Sequence, residues 1–347
     1  MYPAMKALMP ALVPVLAAVL LSACSVLGPS GAPPAGPGVE LATVPFIPQE
    51  QWQCGPAALA TVLQASGLET SAAELVDAVW LPERQGAVTV ELQAATRTAG
   101  RLAYRLDPDL DALLAELYAG RPVLVLQNLG IALYPSWHFA VVVGFDPEAD
   151  ELILRSGVTK RHRVRRRTFE ATWARGERWA MVALAPGELP ARVDRVRLLQ
   201  AAADAERSGA TGLALAAYAA WLERAPDDRA ARFGRAAAQA KLAQLGAAAA
   251  DYEALLRTRP SDIAVLNNLA LVRARQGCIG IARRLIGVAV KAAEAPALRD
   301  ELLRSVGEIE GMAGGVPSDA CPVDDAGPAD AGGTAEAVPP DGRIRSS

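Results

Sequence analysis

Histidine is almost missing from this chain: among 347 residues there are only His138 and His162. Cysteine is nearly as scarce, and Cys24, Cys54, Cys278 and Cys321 are the whole set. Neither histidine sits at ligand spacing from a cysteine or from the other, so no metal and no cofactor is expected. No G-x-x-x-x-G-K-[ST] run occurs, so ATP-driven export within these residues is not expected. Charges nearly cancel, 38 acidic against 35 basic, and a net charge of −3 argues against a nucleic-acid binder. Aromatics are few and much of the apolar content is alanine, so composition overstates the core. The length still leaves room for two domains.

A membrane-spanning run is also lacking. The apolar stretch from Ala7 to Leu21 falls short of the ~20 residues a helical span needs, and Pro10 and Pro14 break it. It follows Lys6 and ends in Leu21-Ser22-Ala23-Cys24, which reads as a secretory signal with a lipoprotein box. Residues 1–24 are therefore expected to be signal and lipobox, with Cys24 carrying lipid and serving as the membrane partner. Acylation through several chains makes such an anchor stable. Ser25 after the cysteine resembles Gram-negative lipoproteins retained at the outer membrane. That likeness implies a bacterial cell-envelope protein facing the periplasm. Residues 25–42, rich in Gly and Pro, read as a flexible tether.

What is present is concentrated in VPFIPQEQWQCGPAALATVLQAS, Val44 to Ser66. Cys54 stands directly before a predicted helix with Leu59, Val62 and Leu63 on one face. Unpaired N–H groups and the positive end of the helix dipole favour a thiolate there. Pro56 suits the first turn, and Gly55 is read as allowing a substrate close to the backbone. The N–H at the nucleophile and the amide of Gln49 are candidate oxyanion donors. The plainer alternative is a buried structural cysteine.

A nucleophilic cysteine needs a base. His162 lies inside KRHRVRRR, Lys160 to Arg167, where neighbouring cations make it a poor ion-pair partner. That run reads as a solvated strand or turn, with a role in holding anionic lipid or acidic substrate as the alternative. His138 opens HFAVVVGFD, a predicted buried strand, where a rigid scaffold can aim an imidazole at a thiolate.

Gln49, Cys54-Gly55-Pro56, the Gly120 to Val125 segment, His138 and Gly144 together resemble the bacteriocin-processing, double-glycine leader peptidases, a papain-like cysteine peptidase family. The likeness runs from about Val44 to Pro186, and Gln85 to Gly100 is similar to the helix that family places between its cysteine and histidine halves. The resemblance implies Cys54 as nucleophile, His138 as general base, Gln49 in the oxyanion hole and a peptide or protein substrate. Where the family has an Asp that orients the imidazole, this chain has Ser156, at the end of ELILRSG. Asp146, in the turn after the histidine strand, ranks below it.

The expected fold is an α+β papain-like cysteine peptidase domain over 43–190. Ser71 and Glu74 form a predicted capping box opening a helix through Trp80, and Asp109 to Tyr118 reads as another helix. Strands are predicted near Val123–Gln127, His138–Phe145, Glu151–Arg155 and Trp179–Leu184, with antiparallel pairing of the later ones. An all-α tetratricopeptide-repeat array of about three repeats is expected over 193–300. Tyr218 and Tyr252, Leu222 and Leu256, and Pro226 and Pro260 each recur after 34 residues. Such an array implies a surface for a protein partner; a scaffold packed on the first domain is the alternative. Residues 314–347 read as a disordered tail. With Cys24 and Cys54 assigned, Cys278 and Cys321 remain as the pair for a disulfide in an oxidising periplasm, or as two separate thiols.

The leading function is thus a membrane-anchored periplasmic cysteine peptidase. The alternative is a catalytically inactive, peptidase-like peptide-binding adaptor.

Overall fold

The computed structural model describes residues 36–48, 54–81, 86–131, 133–313 and 321. Cys24, Gln49, most of the tether and all of the tail except Cys321 lie outside the described residues. The first elements are β1 (Val39–Glu40), α1 (Cys54–Ala65), α2 (Ala72–Val79), β2 (Trp80–Leu81), β3 (Gly86–Ala87) and α3 (Thr89–Thr98). Then come β4 (Leu102–Arg105), α4 (Leu110–Tyr118), β5 (Val123–Asn128), β6 (Trp137–Asp146) and β7 (Glu151–Ser156). β8 (Thr159–Arg165), α5 (Arg166–Ala174) and β9 (Ala180–Leu184) follow.

Local signals set the helix starts. Ser71 and Glu74 make the reciprocal capping box that opens α2, and Asp109 accepts from the Ala112 N–H at the start of α4. α2 ends at Val79, one residue earlier than predicted, because Trp80 is taken into an antiparallel pair with Ala87. Among the described residues β1 and β4–β9 form a seven-stranded antiparallel sheet, ordered β4-β9-β5-β6-β7-β8. β1 pairs with Gly144 and Phe145 of β6. Gly144 is required there, since a Cβ would lie 2.5 Å from the Val39 carbonyl oxygen.

The central strands are buried on both faces, and side-chain alternation divides their contacts. Leu124, Phe139, Val141 and Val143 pack with Leu59, Val62 and Leu63 of α1 and Leu92 of α3. Val125, Ala140 and Val142 pack with Leu113 and Leu117 of α4 and with Phe169 and Trp173 of α5. Burying a side chain such as Leu59, which is fully enclosed, stabilises the fold by about 1.5–3 kcal/mol. Strand β4 and helix α5 were not predicted as such, whereas β8 falls in the Lys160 to Arg167 run read as a solvated strand or turn and is largely exposed. β4 is a four-residue strand, and the only apolar signal for α5 is Phe169 and Trp173, which stack one turn apart.

Beyond the sheet the chain is helical: α6 (Arg195–Arg207), α7 (Thr211–Arg224), α8 (Arg229–Lys241), α9 (Leu245–Thr258), α10 (Ile263–Arg275), α11 (Ile279–Ala292) and α12 (Pro296–Gly311). Helix starts recur every 34 residues, at Arg195, Arg229 and Ile263 and again at Thr211, Leu245 and Ile279. The chain divides into two compact units, one ending at Asp251 and the other beginning at Tyr252. In the first, Leu198, Ala202 and Tyr218 share a core with Leu102 and Tyr104 of β4. The Tyr104 hydroxyl accepts from the Asp194 N–H, and burial pushes its ionisation up to about 12. In the second, Leu266, Ala270, Ile286, Leu302 and Ile309 form the core. Cys278 and Cys321 are disulfide-bonded, with Cα atoms 5.4 Å apart.

Candidate active site

Helix α1 begins at Cys54 itself, and every residue from Gly55 to Leu63 is buried. A helix enclosed on all sides is a core helix rather than a half-exposed one. Its open end is Cys54, a free, half-buried thiol. The role read for Gly55 is corrected by this packing. A Cβ there would collide with the Cβ of Ala87 and lie 3.8 Å from Phe139 Cδ2, so glycine is needed for contact with the protein's own β3 and β6. Cys54 and His138 are the chain neighbours of Gly55 and Phe139 respectively.

His138 is the second residue of β6, opposite Gln127 in the ladder with β5. Its Nε2 lies 2.8 Å from Ser156 Oγ at the end of β7. As imidazolium the ring donates to that hydroxyl, and its Nδ1 is the nitrogen left for other chemistry. Burial pushes the His138 imidazole below its ordinary value of 6.5, and the charge of His162 on β8 pushes the same way. Alternation along β6 turns Phe139, Val141 and Val143 toward α1 and puts His138 with Ala140 and Val142. Among the described residues no hydrogen bond joins Cys54 to His138.

Asp146 is at the other end of β6, eight residues on, which is on the order of 26 Å along a strand. Its carboxylate accepts from Arg163 at 2.6 Å and from the Glu148 and Ala149 N–H groups. Arg163 above all holds it below the usual carboxylate range. Ser156, not Asp146, is the group behind the imidazole.

Two features were not legible in the sequence. Arg155, one residue before Ser156 and 4% exposed, has no carboxylate partner among the described residues. It donates instead to the carbonyls of Val44 (3.1 Å), Ala42 (3.3 Å) and Lys160 (2.8 Å), tying the segment that leads toward Cys54 to the strands beside His138. Desolvation lowers its ionisation, as expected of a buried guanidinium held by carbonyls alone. The second feature is the β5–β6 connection. Asn128 Oδ1 accepts from the Gly130 and Ser136 N–H groups, and Ile131 and Tyr134 exchange backbone hydrogen bonds. This ordered tip holds Ile131, Leu133, Tyr134 and Trp137 more than half exposed immediately before His138. The only sequence signal is an apolar run in a place where a loop is polar by habit.

Residues 41–181 match the family model described as Peptidase_C39 like family. Among solved structures, a C39-like peptidase from Bacillus anthracis is 18% identical, with a TM-score of 0.36 over 43% of this chain and 98% of that one. The peptidase domain of Streptococcus ComA, a bifunctional ABC transporter of a quorum-sensing pathway, is 22% identical, with a TM-score of 0.34 over 41% and 98%. A double-glycine-motif protease from an AMS/PCAT transporter, solved with its leader peptide, is 20% identical, with a TM-score of 0.32 over 43% and 98%. No curated protein matches the chain. In sequence, residues 41–181 are similar to C39-like peptidases, and they are built around an antiparallel sheet with a helical region after it.

Proposed function

We propose that this chain is a membrane-anchored periplasmic cysteine peptidase. Its acylated Cys24 would hold it at the outer membrane, and its helices would form tetratricopeptide repeats that bind a protein partner. The observation that carries the catalytic reading is the 2.8 Å contact of His138 Nε2 with Ser156. It leaves Nδ1 as the ring nitrogen available to act as a base. In the proposed reaction His138 Nδ1 takes the Cys54 proton, and the thiolate adds to a peptide carbonyl. The oxyanion is met by a backbone N–H at Cys54 and by the Gln49 amide. Imidazolium returns the proton to the leaving amine, giving a thioester and a shortened peptide. Water, deprotonated by the same imidazole, releases the acid and restores the thiol. A lowered His138 ionisation suits this role, because the ring is then neutral and able to accept a proton near pH 7.

The test is cleavage of a proteome-derived peptide mixture by the chain lacking residues 1–24, read by mass spectrometry against Cys54→Ala and His138→Ala. New peptide termini that vanish in both variants support the reading. The absence of a Cys54–His138 hydrogen bond favours the second reading, a binding module without turnover. Such bonds are often long in unliganded enzymes and tighten on substrate. Peptide capture without new termini in any variant would establish the binding module instead.

A further inference from the structure

The edge strand β4 carries backbone groups that the sheet leaves unused. The Leu106 N–H donates to the Ala180 carbonyl at 3.0 Å, which fixes the phase of the antiparallel ladder with β9. Leu102 and Tyr104 then exchange bonds with Leu184 and Val182, while the N–H and C=O of Ala103 and Arg105 point away from β9. Those two residues face a cavity of about 490 Å³ between α3 and α6. A second cavity of about 430 Å³ shares Gln93 and Asp204 with it, so the two form one groove. Each lies in the size range of ligand sites, about 300–1,000 Å³. Ala103 is only 5% exposed, yet no hydrogen bond among the described residues reaches its outward backbone groups. Buried backbone donors and acceptors without partners are rare, and another backbone is their natural complement.

The groove is also positive. Its aspartates are already engaged: Asp194 accepts from the Arg197 N–H, and Asp204 pairs with Arg207 and accepts from Gln200. Arg97 and Arg105 form no ion pair among the described residues, and Arg97 Nε is buried without a hydrogen-bond partner. Exposed Val90 and Val196 stand at the lips contributed by α3 and α6.

We propose that this groove receives an extended, acidic segment of the peptide substrate as an added strand on β4, distal to the bond cleaved at Cys54. The proposal rests on the peptidase reading above. Val90 is near the site, three residues after the Ala87 that abuts Gly55. β4 lies three strands from β6, about 14 Å across the sheet. About four residues of extended chain span that distance. The chain's own acidic tail is a poor occupant, because Pro322, Pro328, Pro339 and Pro340 lack the N–H a strand needs. A second copy would bring Arg97 and Arg105 against themselves.

The experiment pans a phage-displayed random dodecapeptide library on the chain lacking residues 1–24 and carrying Cys54→Ala, so that binding is read without turnover. Acidic, proline-free peptides are expected, and their addition should slow amide exchange at Ala103 and Arg105. Arg105→Gln should weaken them about tenfold, as for a lost charge-assisted bond, and Arg105→Pro, which also removes an outward N–H, should abolish binding. Arg105 is exposed, so Arg105→Gln tests the charge without disturbing the core. Peptides without acidic bias, or unchanged exchange at both amides, would overturn the strand-addition proposal. Failure of the peptidase reading is seen separately, as absent cleavage in the unsubstituted chain.

Discussion

Replacing Ser156 by alanine and by aspartate separates what the hydroxyl does from what a carboxylate would do. Ser156 Oγ is 2.8 Å from His138 Nε2. Alanine removes one neutral hydrogen bond, about 1 kcal/mol, or roughly fivefold in kcat/KM if the bond orients the ring in the transition state. The acid limb of the pH–rate profile should stay where it is, because burial rather than Ser156 lowers the His138 ionisation. Aspartate places a charge against the same nitrogen and should move that limb upward by about one to three pH units. Stability carries the same signature. With the folded ionisation below the unfolded value of about 6.5, His138 contributes stability that is present above pH 6.5 and lost as pH falls below it. In Ser156→Asp the sign reverses: stability is gained below pH 6.5 and lost as pH rises through the elevated folded value. Melting curves between pH 4.5 and about 8.5, together with a pH–rate series, read both effects. An unmoved acid limb and an unchanged stability profile in Ser156→Asp would refute the contact.

Further outcomes follow from the packing around the site. Gly55→Ala should cost about 1–3 kcal/mol through overpacking against Ala87, and adding Ala87→Gly should recover part of it in denaturant titrations. Arg155→Met removes the donor to the Ala42, Val44 and Lys160 carbonyls. A loss of about 3 kcal/mol is expected, with faster amide exchange over residues 41–46. Reduction of Cys278–Cys321, which closes a loop across a sequence separation of 43, should destabilise the unit beginning at Tyr252 by about 2–4 kcal/mol. Protection of α10–α12 amides before and after reductant is the readout.

Legibility followed the length and locality of the signals. The capping box at Ser71 and the long apolar strands around Val123 and His138 could be read because each is a local pattern. Ser156 could be set behind His138 because two adjacent antiparallel strands bring their ends together, and the resemblance marked the position. β4 is too short to declare itself. The Arg166–Ala174 helix is masked by the arginines that open it. Gly55 was misread because its constraint comes from Ala87, 32 residues away, and no local rule carries that contact. Arg155 and the α3–α6 groove depend likewise on segments far apart in sequence.

The account turns on His138 acting as the base for Cys54. The rate of Cys54 alkylation by iodoacetamide between pH 6 and about 9, in the chain lacking residues 1–24 and in its His138→Ala variant, tests that directly. A free thiol reacts through ionisation near 8.5. The expected result is reactivity at pH 7 at least about tenfold above the variant, falling away in acid as His138 takes up its proton. Superimposable profiles for the two proteins would contradict it and leave the binding module as the reading.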